Sequence, residues 1–173
     1  MRLILCQIVL AGLFMVQTVA AAPLDPVTLE PIDYVDATLT VVDAQGQEVV
    51  YTPAALEQFT TYQLRTTTPW RDAPAVFEGV LLNDILRANG YGEDATIDIM
   101  AENDYRATFS SQVLAEVDFL VAIRVDGRPH TRRARGPIQV VVDAKLFEAS
   151  ELATGAHLVW MAARISPHEA AAQ

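Results

Sequence analysis

Short runs of alternating or β-branched residues recur along the chain and predict strands, with turn-forming residues between them. Ala37 to Val42 and Glu48 to Tyr51 read as two strands around an Asp43-Ala44-Gln45-Gly46 turn. Thr52 and Pro53 have the chemistry of a helix cap and a first helical position, so a short helix is expected to run on to Phe59. Tyr62 to Thr68 is a further strand, and Phe77 to Leu82 leads into a helix over Asn83 to Asn89 that Gly90 closes. Strands are predicted at Thr96 to Ala101, Tyr105 to Phe109 and Phe119 to Val125, with a short helix, Ser111 to Ala115, between the last two. Asp126-Gly127 is a hairpin signal. Ile138 to Val142 and Leu158 to Ile165 are near-continuous apolar strands, which places Trp160 in the core. No internal repeat appears, and strands outnumber helices, so the pattern predicts a single α+β domain.

The first twenty residues follow a different pattern. Arg2 precedes an apolar run from Leu3 to Val16 interrupted by Gln7, and small residues follow at Thr18 to Ala22, as in an export signal cleaved after Ala20 or Ala21. The expected organisation is a signal peptide at 1–20, a proline-punctuated extended lead at 21–36, a domain at 37–165 and a frayed tail at 166–173. Cleavage leaves a chain close to the size of one domain, destined for the periplasm and not spanning the membrane. It also removes Cys6, the one cysteine, so no disulfide or thiolate-held metal is expected.

Charge narrows the candidate chemistry. The chain carries 22 acidic and 12 basic residues, a net −10, which argues against nucleic acid as a partner. Against that background Arg124, Arg128, Arg132, Arg133 and Arg135 crowd into one stretch, followed by Gly136-Pro137. This stretch reads either as a solvated hairpin paired with surface acids or as a cradle of guanidinium forks for an anion or flat heterocycle. Strand alternation would put Arg133 and Arg135 on one face and Arg132 on the other. Asn103, Asp104 and Tyr105 form either a plain turn or a set of donor, acceptor and stacking groups, and Trp70, beside Pro69 at a strand end, either stacks on a ligand or lids the core. The three histidines, His130, His157 and His168, have no metal-ligand spacing, and no Gly-x-Ser-x-Gly elbow or phosphate loop is present.

The order Thr68-Pro69-Trp70, Phe77-Glu78-Gly79-Val80-Leu81-Leu82-Asn83-Asp84-Ile85-Leu86, Glu102-Asn103-Asp104-Tyr105, Leu120-Val121-Ala122, Asp126-Gly127, Arg132-Arg133, Arg135-Gly136-Pro137 and Trp160 resembles the oxidoreductase molybdopterin-binding domain. The resemblance spans about residues 37 to 165 and implies a mixed-sheet, sulfite-oxidase-like fold. Catalytic members hold molybdenum through a cysteine thiolate, which the mature chain lacks. The match is therefore to small secreted regulators that bind a pterin without metal and act on a membrane-anchored cyclic-di-GMP enzyme or sensor kinase. The alternative is a molybdopterin-dependent oxidoreductase or its accessory subunit. On the regulator reading, Trp70 or Tyr105 stacks on the ring, Asn103 and Asp104 bond its amide edge, Arg132, Arg133 and Arg135 face its oxygens, and Gly136 lets the backbone approach.

Overall fold

A computed structural model describes residue 24 and residues 26–169, so the signal-peptide expectation and the end of the tail lie outside the described residues. Ten strands dominate the described chain, arranged in two sheets. The first is mixed: β2 (Glu48–Tyr51) lies antiparallel on β1 (Leu39–Val42), β1 runs parallel to β10 (Ala162–Pro167), and β5 (Ile97–Ala101) and β6 (Arg106–Phe109) complete it antiparallel. The second is antiparallel, in the order β3 (Thr61–Thr66), β4 (Ala75–Leu81), β7 (Leu120–Val125), β8 (Arg128–Pro129), with β9 (Gln139–Val141) also on β7. This is a sheet-dominated, mixed α+β single domain.

Apolar residues from both sheets meet in one core. Leu39 and Val41 of β1, Ile97 and Ile99 of β5, Phe109 of β6 and Ile165 of β10 pack with Val80, Val121, Ile123 and Val140 of the second sheet. A smaller cluster covers the outer face of that sheet, where Leu64, Ala75, Phe77, Leu120, Ala122 and Val141 meet. Both faces of β7 are thus buried. That is why Leu120 to Ile123 is a continuous apolar run, whereas the half-buried β2 alternates. Close approach within the second sheet is absolute at Gly79, where a Cβ would lie 2.0 Å from the Val121 carbonyl oxygen.

The local signals act as expected at several points. Thr52 Oγ1 accepts from Ala55 N–H at 3.1 Å and Pro53 sits in the first turn, although α1 (Pro53–Leu56) stops short of Phe59. Helix α2 (Leu82–Ala88) ends with Gly90 at φ +79°, its N–H on Arg87 and the Tyr91 N–H on Leu86. α3 spans Ser111–Glu116 behind a Ser110 cap.

Three expectations need correction. Leu158 to Ile165 is not one strand: Met161 takes φ +55°, so β10 begins at Ala162 and runs on to Pro167, while Trp160 makes an isolated bridge to Gln139. Residues Ala144–Ala149, unassigned from sequence, form α4 behind an Asp143 cap. The arginine stretch does not alternate as a strand, because Arg132–Ala134 is a 3-10 turn and Arg135 is left-handed at φ +75°.

The described part of the lead runs along β3, where Val27 N–H donates to Thr61 O at 2.8 Å. It is pinned by Arg124, whose buried guanidinium donates to the Glu30 carbonyl at 2.7 Å, to Tyr34 Oη at 2.6 Å and to the Glu57 carboxylate at 2.6 Å. One of the five clustered arginines is therefore structural. Burial, with the Glu57 carboxylate adding to it, pushes the Tyr34 phenol well above its ordinary value.

Candidate functional site

Two connections build the site. The first, between β3 and β4, folds back on itself where Arg71 N–H donates to Thr68 O at 3.0 Å, leaving the Trp70 indole 40% exposed. The second, between β8 and β9, is the 3-10 turn, closed by Ala134 N–H and Gly136 N–H on Thr131 O at 2.9 and 2.8 Å. It is tied to the segment before β10 by Met161 N–H on Arg135 O at 3.2 Å, by Ala162 N–H on Ile138 O at 2.9 Å and by the Gln139–Trp160 bridge. The two connections enclose a pocket of about 390 Å³ lined by Thr68, Trp70, Arg71, Arg132 to Arg135, Gln139 and Trp160. That volume lies within the usual range for small-molecule sites.

Arg135 organises the mouth. Its guanidinium lies 4.6 Å from the centroid of Trp70 and 5.0 Å from that of Trp160, so the left-handed turn places one cation against two indoles. Trp160 is half-buried and belongs to this pocket, not to the core as its apolar neighbours suggest. Arg132 is exposed and forms a two-pronged pair with Glu102, Nε to Oε2 at 3.0 Å and Nη2 to Oε1 at 2.7 Å. Arg133 is exposed at the rim.

The back wall is polar and buried. Gln139 is 2% exposed, and its Oε1 lies 2.9 Å from His130 Nε2. Burial pushes the His130 imidazole below its ordinary value, and the nearby Arg71 charge acts in the same direction against the Gln139 contact. Gln139 Nε2 and Arg71 Nε, both shielded from solvent, have no hydrogen-bond partner. His130 Nδ1 is likewise shielded and without a partner, so this layer behind the pocket costs stability.

Of the residues expected at the site, the structure brings Trp70, Arg132, Arg133 and Arg135 together. It does not bring Asn103, Asp104 and Tyr105 to the lining. These three form an exposed turn, with Asp104 at φ +64°, its N–H on Ala101 O at 3.1 Å, and Tyr105 Oη donating to Ala156 O at 3.1 Å. Their neighbour Glu102, through Arg132, links that turn to the rim. Gly136 serves packing within the loop: a Cβ there would lie 2.6 Å from His130 Cγ and 2.7 Å from the His130 carbonyl carbon. Arg71, Gln139 and Trp160 were not anticipated as lining residues. A single polar residue inside the apolar run Ile138 to Val142 is the signal that points to Gln139.

Three larger clefts, of about 500 Å³ beside α2, about 580 Å³ under the lead and about 530 Å³ between Phe59 to Tyr62 and α2, are lined by neither indole nor by Arg135. Among the described residues no group of three or more His, Cys, Asp or Glu is placed to hold a metal ion. The pocket lining offers indole, guanidinium and amide groups, which suit a flat or anionic organic group, and contains no thiol to ligate molybdenum.

A mixed sheet joined to a second, antiparallel sheet over a common core defines a fold that also occurs in a dehydrogenase. That protein is the sulfane dehydrogenase SoxCD of Paracoccus pantotrophus, whose crystal structure aligns with a TM-score of 0.56 at 15% identity over 80% of this chain and 40% of that one. The likeness is one of fold, and the chain spans about two fifths of that protein's length. No family model matches the chain, and no curated protein matches it in sequence.

Proposed function

We propose that this chain is a periplasmic small-molecule binding protein whose arginine–tryptophan pocket takes a flat, pterin-type ring and whose occupancy is read by the periplasmic domain of an inner-membrane signalling protein, such as a cyclic-di-GMP enzyme or sensor kinase. The observation that carries the reading is the Arg135 guanidinium set against two indoles, Trp70 and Trp160, at one pocket of ligand size. Trp70 and Trp160 supply stacking area, and the guanidinium N–H groups at the mouth meet the oxygens and ring nitrogens of the heterocycle. The export pattern of the first twenty residues supports the compartment.

When bound, a molybdopterin would bring redox chemistry through its metal. The lining residues hold the pterin and its oxygens but supply no sulfur ligand, which favours binding over catalysis. The fold shared with a dehydrogenase supports the second reading, an oxidoreductase or its accessory subunit. Titration calorimetry with a neopterin-type pterin, beside metal analysis of protein purified from its native periplasm, separates the two. Stoichiometric pterin binding, weakened by Trp160→Ala and accompanied by no molybdenum, is the expected result. Stoichiometric molybdenum would promote the oxidoreductase, and absence of pterin binding by the folded protein would overturn the reading.

A further inference from the structure

The connection between β3 and β4 walls two clefts. Beside the arginine–tryptophan pocket lies a second space of about 320 Å³, between this connection and α4. Thr68 and Arg71 line both, while Trp70 belongs to the first and Pro69 to the second. The partition is therefore a single turn of chain, and its tip, Pro69-Trp70, is exposed. A group lying against Trp70 has only that tip to clear before it reaches the second cleft.

Hydrogen bonds hold the partition in shape. At its base Thr66 Oγ1 donates to Val142 O at 3.0 Å. Across the turn Arg71 N–H donates to Thr68 O at 3.0 Å and Thr67 Oγ1 to Arg71 O at 3.3 Å. The Arg71 guanidinium is anchored over the Phe77 ring, 5.7 Å from its centroid, so it stays part of the wall.

The second cleft differs from the first in chemistry. Val142 and Leu158 floor it, and the surface open to an occupant comes from half-buried Ala144 and Phe147 and exposed Pro69. No residue of α4 is fully buried, so Phe147 lines this space instead of closing it. Its lining holds one acid, exposed Glu148, and one base, Arg71. With those charges balanced, what the cleft offers a ligand is burial of apolar area.

We infer that the ligand has two parts, an inference that rests on the pterin-type reading above. The heterocycle lies against Arg135 and the indoles, and an uncharged apolar arm crosses Pro69-Trp70 to lie against Phe147. The ligand class is then a pterin bearing an aryl-type arm, not one with a short polar side chain.

The test is calorimetric titration of the folded protein with 6-(anilinomethyl)pterin and with 6-methylpterin, which share the ring and differ in an uncharged arm. The aryl pterin should bind about tenfold or more tighter, the gain expected from burying most of a phenyl ring. Ala144→Leu, which fills the cleft, and Phe147→Ala, which removes its wall, should each bring that ratio toward unity, with circular dichroism checking the fold. In the wild type, intermolecular nuclear Overhauser contacts from the aniline ring to Phe147 locate the arm without any substitution. Equal affinity of the wild type for the two pterins would overturn the two-part ligand and leave the pterin-type reading standing. A preference that survives in the folded variants, or aniline contacts to residues outside the cleft, would overturn it as well. Binding of neither pterin would remove both.

Discussion

Arg135 allows a quantitative test of how the mouth of the pocket is held, because three effects meet at one residue and different substitutions separate them. Its guanidinium sits against both Trp70 and Trp160, and its backbone is left-handed at φ +75°. Two cation–π contacts at a partly exposed site amount to about 1–2 kcal/mol together. Arg135→Ala loses them while keeping the left-handed strain, so it should lower unfolding free energy by about 1–2 kcal/mol. Arg135→Gly loses the same contacts but relieves about 1–2 kcal/mol of backbone strain, against about 0.4–1 kcal/mol of extra unfolded-chain entropy. Glycine should therefore be the more stable of the two by about 0.5–1 kcal/mol. Arg135→Lys keeps a cation but loses the flat stacking surface, and should fall between wild type and alanine. Urea denaturation followed by far-ultraviolet circular dichroism gives the three stabilities, and the emission of the two tryptophans in the native baseline reports the contact directly. If the glycine variant were less stable than the alanine variant by about 0.4–1 kcal/mol, the left-handed turn would not be strained. If neither altered tryptophan emission, the guanidinium would not lie against the indoles in solution.

Two further outcomes are expected. Arg124→Met should cost about 3 kcal/mol or more, because it leaves the Glu57 carboxylate and the Glu30 carbonyl without their buried partner; adding Glu57→Leu should recover much of the loss in the same urea assay, and a single-variant cost under about 1 kcal/mol would refute the role of the network. Stability should also fall between pH 7.5 and 5.5: burial holds both His130 and His157 below the ordinary 6.5, so the unfolded chain takes up protons that the folded one refuses. Their contribution is complete above 6.5 and is lost as pH falls toward the lowered folded values, with a limiting slope of about 2.7 kcal/mol per pH unit for two histidines. Thermal melts at the two pH values check this, with a shallower fall expected in His157→Phe; a melting point that holds or rises at the lower pH would sink it.

Much of the fold was legible because its determinants are local. The Asp43 turn, the Thr52 cap, the Gly90 terminator and the Asp126-Gly127 hairpin each depend on a side chain or backbone freedom within a few residues, and each acts where the sequence places it. Where the reading failed, a distant contact overrode a local pattern. The apolar run from Leu158 is broken because Val159 O and Met161 N–H are engaged by Val140 and Arg135, which turn the chain before β10 can begin. That break also brings Trp160 to the pocket. No periodicity within residues 158–165 encodes it.

The site divides along the same line. Trp70 and the arginines were visible as unusual residues, and the structure gathers them, but their partners are set by the crossing of two connections far apart in sequence. Asp104 was attractive because an acid beside Asn and Tyr can bond a heterocycle's amide edge, yet φ +64° and the Asn103 side chain's contact with Tyr105 N–H show these residues shaping a turn. The more informative residue was the least conspicuous. A glutamine in an all-apolar strand must find a partner for each of its polar atoms, and within this fold His130 satisfies only the oxygen. Its remaining N–H group, like His130 Nδ1, is shut away from solvent and costs stability, so the surface open to a ligand is made by Arg135 and the two indoles that the left-handed turn and the break before β10 bring together.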